Sequence, residues 1–454
     1  MMRLSEAAIA TRGQLIGKDV AFTSVGTDSR ALVPEQLFVA LRGEKFDGHS
    51  YASQALEQGA AAVMVSDKTG DISPALQVKD TRLALGDLAA HWRGKFKIPL
   101  AAITGSSGKT TVKEMLATIL RVEAGNAEAV LATQGNLNND IGLPLTLLNL
   151  RQQHRYAVAE MGMNHIGEIG YLSKIGRPTV ALINNAGTAH IEHLGSVEAI
   201  ARAKGEIFQG LAADGVAVIN ADDPFEPLWR MLSAPRKVIT FGLDHAADVS
   251  AEFKLEADAS VLDMKTPRGK LSLRLPAPGL HNVRNALAAT AAALAMDASL
   301  QSVERGLAGF AGAKGRLQYK LGRHDACVID DTYNANPVSM KAAIDVLAAY
   351  PGKKLLVLGD MGELGAAASQ LHAEIGAYAK QAGLQGLYTL GELSREMVAA
   401  YGQYAWHYDT PEALAAELVQ RMTAATTVLV KGSRFMRMER VVALITAENK
   451  EEKH

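Results

Sequence analysis

The residues of this chain with the clearest chemical potential lie in one glycine- and hydroxyl-rich segment. Residues 103–111 read Ile-Thr-Gly-Ser-Ser-Gly-Lys-Thr-Thr, between an apolar run at 100–103 and a helical pattern at 112–121. Backbone N–H groups at such a strand-to-helix turn converge on phosphate oxygens. The lysine adds a positive charge at the β- and γ-phosphates, and the threonine after it can bind Mg²⁺ through its hydroxyl. This order predicts an ATP site formed by Gly105, Ser106, Ser107, Gly108, Lys109, Thr110 and Thr111.

One position of this segment departs from the usual phosphate-loop pattern. That pattern has a glycine five places before Gly108, where this chain has Ile103. A glycine-rich turn without a ligand is therefore the alternative interpretation. Because packing alone gives little reason for Gly-Lys-Thr at the start of a helix, we expect phosphate binding here.

The composition excludes several classes of protein. The 47 Lys and Arg nearly balance the 48 Asp and Glu, and the net charge of -1 provides no basic field for nucleic acid. Cys327 is the single cysteine, which excludes an intrachain disulfide and is typical of a reducing compartment. No signal-peptide pattern is present, and the longest apolar stretch, 286–296, is too short to span a bilayer. We expect a cytoplasmic, monomeric protein without membrane insertion or a nucleic-acid partner.

The rest of the sequence predicts the elements that position the phosphate-binding segment. The 454 residues suffice for about three domains. Apolar runs of strand length alternate with helical patterns, which predicts parallel sheets covered by helices. We predict an α/β fold with a small N-terminal α/β domain (1–80), a central ATP-binding domain with a parallel sheet (81–313) and a C-terminal Rossmann-like domain (314–454), with a glycine-rich hinge at 306–315. Residues 251–275 alternate in polarity and predict a small antiparallel sheet.

Polar side chains follow several of the predicted strands, where open α/β sheets bind their ligands. Glu160 and His190 each follow a central strand and could hold a metal ion, with a solvated loop residue as the alternative. Asn282 and Asn285 precede an Ala-rich helix, where an amide can cap the helix or contact a nucleobase. Residues 330–337 carry two carboxylates and two amides after a C-terminal strand, which favours a ligand site over a simple turn.

Taken together, these motifs resemble the Mur ligase family of bacterial cell-wall synthesis over essentially the whole chain. The matching segments are 104–110, 135–144, 203–208, 331–336 and 431–434. Within that family the chain is most similar to the ligase that adds D-alanyl-D-alanine to a UDP-N-acetylmuramoyl-tripeptide. The resemblance implies formation of an amide bond through an acyl phosphate, with ATP and Mg²⁺.

The resemblance also implies roles for individual residues. The implied catalytic residues are Lys109, His190 and Lys204, and the implied Mg²⁺ ligands are Thr110, Glu160, His190 and Lys204. Spacing alone makes Lys204 a solvated lysine on a helix, whereas the resemblance makes it carbamylated. A carbamate supplies anionic oxygens where an ammonium group would repel Mg²⁺. The implied contacts to adenine, phosphate and ribose are those of Asn282, Asn285, Arg316 and Asp331.

Two further sets of residues are implied for the substrates. The loops implied for the uridine diphosphate contain Thr27, Asp28, Ser29, Arg30, Gly43, Phe46, Asp47 and His49. The residues implied near the muramoyl-peptide and the incoming dipeptide are Asn138, Asn139, Asn336, Lys431 and Arg434.

Three other functions stay open on the sequence. A sister ligase that adds a diamino acid would carry an Asp-Asn-Pro-Arg type of motif where residues 331–337 read Asp-Thr-Tyr-Asn-Ala-Asn-Pro. A ligase that extends folate with glutamate would lack the loop at 27–30. A P-loop ATPase that acts as a switch would leave the polar loops of the third domain unexplained.

Overall fold

The N-terminal part of the protein is built on a five-stranded sheet. The computed structural model describes residues 1–44, 46–66, 72–187, 194–313 and 315–447. In spatial order the strands are Gln14–Ile16, Ala75–Gln77, Ala62–Val65, Gln36–Val39 and Ser24–Gly26. The first pair is antiparallel and the others are parallel. Helices Leu4–Thr11 and Ala52–Glu57 and the short antiparallel pairs Met2–Arg3 with Ala21–Phe22 and Arg42–Gly43 with Phe46–Asp47 complete this part.

A six-stranded, fully parallel sheet forms the centre of the protein, as predicted. Its spatial order is Val130–Ala132, Tyr156–Glu160, Leu100–Thr104, Val180–Ile183, Val216–Asn220 and Lys237–Phe241. All five residues of Leu100–Thr104 are buried, because helices cover both faces of the sheet. These helices are Thr81–Arg93, Lys109–Ala124, Gly142–Leu148, Glu168–Gly176, Val197–Gly205, Glu226–Ser233, Leu280–Ala295 and Leu300–Ala308.

Small residues let the helices of the central part approach one another closely. The alanine-rich helix Leu280–Ala295 is almost entirely buried beside Lys109–Ala124, the helix that follows the phosphate-binding segment. A side chain at Gly306 would approach the Cα of Ile119 to 2.5 Å. The same core includes the predicted antiparallel sheet, which consists of Ser250–Leu255, Ser260–Thr266 and Gly269–Leu275. This packing fixes the phosphate-binding segment against a rigid support.

The C-terminal part contains a second six-stranded sheet. Its spatial order is Gln318–Leu321, Cys327–Asp331, Thr426–Lys431, Lys353–Gly359, Gly386–Leu390 and Ala405–Tyr408, and only the first strand is antiparallel to its neighbour. Helices Pro337–Ala348, Ala368–Gln381, Arg395–Tyr401, Pro411–Gln420 and Glu439–Ile445 pack on its two faces. This arrangement is the doubly wound sheet that the alternation of strands and helices predicts. No helix in the described ranges is long and apolar enough to cross a membrane.

The register of each of these two sheets places its functional loops at one edge. In the central sheet Ile103 pairs with Glu160, and Thr104 pairs with Ile183. In the C-terminal sheet Lys431 pairs with both Asp331 and Leu358. Since all these strands are parallel, the loops that follow them emerge at one edge of each sheet.

Candidate active site

The phosphate-binding loop needs glycine at one position for both conformation and space. Gly108 has a φ of 78°, and a side chain there would lie 2.4 Å from Asn285 Oδ1. The loop is held from behind, because Ser107 N–H donates to Asn185 Oδ1 at 2.9 Å and Asn184 Nδ2 donates to the Ser107 carbonyl at 3.0 Å. The helix Lys109–Ala124 begins at the next residue, so its free N–H groups open onto the same space.

Lys109 lies over this loop with its ammonium group donating to the Gly105 carbonyl at 2.7 Å. Burial lowers the pKa of Lys109, while the carboxylates of Glu160 and Glu363 act in the opposite direction. The side chain is therefore placed beside the loop that would receive the phosphates, where an anionic oxygen would be its natural partner.

Thr110 and Glu160, two predicted metal ligands, lie in direct contact. Thr110 Oγ1 donates to Glu160 Oε2 at 2.8 Å, and Asn138 Nδ2 donates to Glu160 Oε1 at the same distance. Glu160 is only 2% exposed. A hydroxyl and a carboxylate are hard oxygen donors of the kind that Mg²⁺ prefers, so this pair fits that ion. His190, the third predicted ligand, lies outside the described residues.

Lys204 is a buried amine without a partner among the residues that the structure describes. It is on the helix Val197–Gly205 and is 2% exposed. Burial, and to a smaller extent the charge of Lys109, hold the pKa of Lys204 well below its ordinary value. The described part of the chain has no group of three or more His, Cys, Asp or Glu that could hold a metal. The resemblance implies a carbamate on Lys204, and the lowered pKa favours the neutral amine from which a carbamate forms.

Asn282 and Asn285 form an amide network against the phosphate loop rather than a helix cap. Gly279 is the N-cap of helix Leu280–Ala295, so the capping alternative is wrong. Asn282 Nδ2 donates to the Pro278 carbonyl at 2.9 Å, and Asn285 Oδ1 accepts from Asn184 Nδ2 at 3.1 Å. These side chains line the cleft, where an adenosine could reach them.

Arg316 reaches from the start of the C-terminal part to the phosphate loop. One of its terminal nitrogens donates to Thr110 Oγ1 at 3.0 Å, and its guanidinium carbon lies 4.2 Å from the centre of the Tyr333 ring. Its Nε is buried and has no hydrogen-bond partner among the described residues. A buried donor of this kind is costly unless an acceptor arrives, and a phosphate oxygen would satisfy it. Sequence reasoning missed Tyr333, although it is an aromatic residue within the predicted ligand loop.

Asp331 and Lys431 form a buried ion pair. Lys431 Nζ donates to Asp331 Oδ2 at 2.6 Å and to the Asn334 carbonyl at 2.9 Å. Burial raises the pKa of Asp331, and the charge of Lys431 opposes that shift. Lys431, which the resemblance implies as a dipeptide contact, therefore joins two strand ends. Asp331 also accepts from Leu317 N–H at 3.3 Å, beside Arg316.

Replacing Lys431 with methionine should destabilise the C-terminal sheet by about 3–5 kcal/mol, because an uncompensated carboxylate would stay buried. Hydrogen exchange in the strand Thr426–Lys431 would measure the loss. The matched control is Arg395→Met, which breaks the exposed pair between Arg395 and Asp409 and should cost about 1 kcal/mol or less. Equal exchange in both variants would contradict a structural role for the buried pair.

The predicted uridine loops lie on the N-terminal sheet, outside the cleft. Asp28 pairs with Arg30 at 2.8 Å, and these hydrogen bonds lower the pKa of Asp28 to about 2. Asp47 contacts His49 Nδ1 at 2.6 Å, and His49 Nε2 accepts from Ser66 N–H at 2.9 Å. The other predicted residues of these loops are Thr27, Ser29, Gly43 and the exposed Phe46. Part of this set therefore stabilises the loops themselves.

Three other predicted substrate residues have structural partners. Asn139 Oδ1 accepts from Gly142 N–H at 2.8 Å at the start of helix Gly142–Leu148. Asn336 caps helix Pro337–Ala348 by accepting from Ser339 N–H at 2.8 Å. Arg434 pairs with Glu439 at 3.0 Å. Asn336 and Arg434 also line the cleft, whereas Asn139 does not.

One cleft of about 710 Å³ connects the phosphate loop with the loops of the C-terminal sheet. Its walls include Lys109 and Glu160 on one side and Arg316, Asp331 and Arg434 on the other. The hydrogen bond from Arg316 to Thr110 crosses it. This fold and site define a P-loop protein whose C-terminal domain contacts the phosphate-binding loop through Arg316.

Comparison with known proteins identifies the family. Models of the Mur ligase catalytic domain, middle domain and glutamate ligase domain match residues 21–93, 103–293 and 315–434. The UDP-N-acetylmuramoyl-tripeptide–D-alanyl-D-alanine ligase of Escherichia coli (strain K12) is 43% identical over 443 residues, 97% of each chain. A crystal structure of MurF from Acinetobacter baumannii has a TM-score of 0.90 at 38% identity, covering 98% of both chains. MurF from Thermotoga maritima in complex with ADP has a TM-score of 0.83 at 29% identity, covering 93% of this chain and 96% of that one.

The chain belongs to the Mur ligase family. The family and the three-domain α/β architecture predicted from the sequence are thus confirmed.

Proposed function

We propose that this protein joins D-alanyl-D-alanine to UDP-N-acetylmuramoyl-tripeptide with ATP, yielding UDP-N-acetylmuramoyl-pentapeptide, ADP and phosphate. The observation that carries the proposal is full-length similarity to ligases named for these two substrates, together with an intact phosphate loop. The loop at 331–337 lacks the Asp-Asn-Pro-Arg motif expected of a diamino-acid ligase. Both walls of the cleft come from one chain, so a monomer would provide the whole of this cleft.

In the first step, the carboxylate of the tripeptide attacks the γ-phosphate and releases ADP. The N–H groups of the phosphate loop and Lys109 bind the phosphates, and Arg316 donates from the opposite wall. Thr110, Glu160 and carbamylated Lys204 would hold Mg²⁺, with His190 as the further ligand that the resemblance implies. Bound there, Mg²⁺ would neutralise charge on the transferred and leaving oxygens.

In the second step, the amine of the dipeptide attacks the acyl phosphate and phosphate leaves. Water would hydrolyse this intermediate, so the cleft must be closed while it exists. Arg316 and Tyr333 lie on the C-terminal wall of the cleft. The guanidinium of Arg316 packs on the Tyr333 ring and reaches Thr110 across the cleft. Asp331, held by Lys431, lies beside them for contact with the ribose.

The proposal predicts phosphate release only when both substrates are present with ATP and Mg²⁺. Mass spectrometry of the product should give the pentapeptide. Diaminopimelate, lysine and glutamate serve as alternative acceptors with the corresponding shorter or folate substrates. Turnover with one of those, or phosphate release that ignores the dipeptide, would assign the chain to a sister ligase or to an ATPase switch.

A further inference from the structure

Lys113 is a buried lysine that neither step of the proposed reaction uses. It lies on helix Lys109–Ala124, the helix that follows the phosphate loop. It comes three residues after Thr110 and four after Lys109, so it is their neighbour on the helix surface. The residue is only 1% exposed. An ammonium group loses its hydration in such a place, so the hydrogen-bond partners that replace the water show what the group does there.

Two partners hold the Lys113 ammonium group. Its Nζ lies 2.7 Å from Glu114 Oε1, which offsets the positive charge. The same Nζ donates to the carbonyl of Thr133 at 2.6 Å. Thr133 is itself buried and follows strand Val130–Ala132, the edge strand of the central sheet. The second contact therefore joins the helix of the phosphate loop to the end of a strand.

Thr133 lies where the parallel pairing with strand Tyr156–Glu160 ends. Its N–H still donates to the Val158 carbonyl at 3.0 Å. In a regular parallel ladder the next hydrogen bond would run from Glu160 N–H to the Thr133 carbonyl. Here Glu160 N–H donates to Thr133 Oγ1 at 3.0 Å instead. The hydroxyl of Thr133 thus replaces its own carbonyl in the ladder, and the carbonyl accepts from Lys113.

The segment that leaves the sheet at Thr133 returns to the Glu160 side chain. Asn138 Nδ2 donates to Glu160 Oε1 at 2.8 Å, and the Asn138 carbonyl accepts from Gly162 N–H at 2.8 Å. The other carboxylate oxygen of Glu160 accepts from Thr110 Oγ1. Glu160 is therefore held from one side by the phosphate-loop helix and from the other by residues 133–138. The hydrogen bond from Lys113 to Thr133 joins these two sides.

We propose that Lys113 is a positioning residue for Mg²⁺, which acts by holding the Thr133 carbonyl and thereby the backbone of Glu160. The inference rests on the proposed function for its use of ATP and Mg²⁺. Without the ammonium group, the buried Thr133 carbonyl would need another donor, and the Glu160 N–H is the nearest in the ladder. The pairing would then continue through Thr133, and the segment that carries Asn138 would leave the sheet in a different direction.

The test titrates the full-length enzyme with the Mn²⁺ complex of ATP, without any other substrate. Mn²⁺ is a paramagnetic substitute for Mg²⁺, so electron paramagnetic resonance separates the bound complex from the free one. Lys113→Met should raise the Kd of this complex by about 10- to 100-fold, the usual loss when a group that supports a metal ligand is removed. Metal-free ATP, titrated by calorimetry with EDTA, should bind as it does to the wild type. Arg121→Met, which removes a charge from the last turn of the same helix, is the matched control.

Two variants of Thr133 test the same contact from its other end. Thr133→Val removes the hydroxyl that accepts from Glu160 N–H, and it should weaken binding of the Mn²⁺ complex while sparing metal-free ATP. Thr133→Ser keeps the hydroxyl and should bind the Mn²⁺ complex like the wild type. Both variants keep the side chain small, so this pair decides the question even if Lys113→Met does not fold.

Two results would overturn the inference. Wild-type affinity for the Mn²⁺ complex in Lys113→Met or in Thr133→Val would show that the metal site does not depend on this contact. An equal loss for metal-free ATP would mean that Lys113 supports the phosphate loop as a whole. Since neither peptide substrate is present, an enzyme that binds as expected but forms no pentapeptide would refute the proposed function and leave the role of Lys113 supported.

Discussion

Lys204→Met is expected to lower kcat by about 10³-fold, because loss of one anionic metal donor removes several kcal/mol of charge stabilisation. Lys204 has no polar partner among the described residues and is 2% exposed. Methionine of similar length should therefore fill the same space. Since burying an unpaired amine costs free energy, the variant should be at least as stable to thermal unfolding as the wild type. Activity and stability would change in opposite directions, which separates a chemical role from a structural one.

The mechanism behind this prediction can be measured directly. Burial, and to a smaller extent the charge of Lys109, lower the pKa of the Lys204 amine well below its ordinary value, which favours the neutral form that reacts with CO₂. Isotope-labelled bicarbonate should give a carbamate signal in the NMR spectrum of the wild type that Lys204→Met lacks. Short carboxylic acids should restore part of the activity of a smaller variant, Lys204→Ala. Lys174→Met, at an exposed position of helix Glu168–Gly176, is the control, and activity close to wild type in Lys204→Met would contradict the metal-ligand role.

Lys109→Met is expected to reduce ADP formation by about 10³-fold, the cost of removing one preorganised charge from a transferring phosphoryl group. Lys109 Nζ lies 2.7 Å from the Gly105 carbonyl, at the loop that would bind the phosphates. Single-turnover measurement of ADP should show the loss with and without D-alanyl-D-alanine, since the effect precedes amine attack.

The matched variant is Lys109→Arg, which keeps the charge but changes its geometry. A guanidinium is larger and planar, whereas the half-buried position of Lys109 holds a compact ammonium group. We expect Lys109→Arg to lie between the wild type and Lys109→Met in ADP formation. A Lys109→Met enzyme that forms ADP at the wild-type rate would exclude a role for this lysine in phosphoryl transfer.

Local sequence patterns predicted most of the fold. The apolar runs at 100–104, 156–160 and 180–183 are buried strands of a parallel sheet, and the alternating stretch at 251–275 is an antiparallel sheet. These features follow from periodicity, because the period of hydrophobic residues decides which face of an element can be buried. The phosphate loop is equally local, since its glycine, lysine and threonine act within a single strand-to-helix turn.

The amino-acid sequence by itself determined the class of fold, the phosphate loop and the family resemblance, all of which depend on residues close together in the chain. Only the tertiary structure decided which side chains are buried and which residues they contact. It places the Lys204 amine in the interior, joins Asp331 to Lys431 across 100 positions, and brings Arg316 to Thr110 across 206. Such contacts arise where parallel strands end at a common edge and domains pack on one another, and no periodicity in the sequence encodes them.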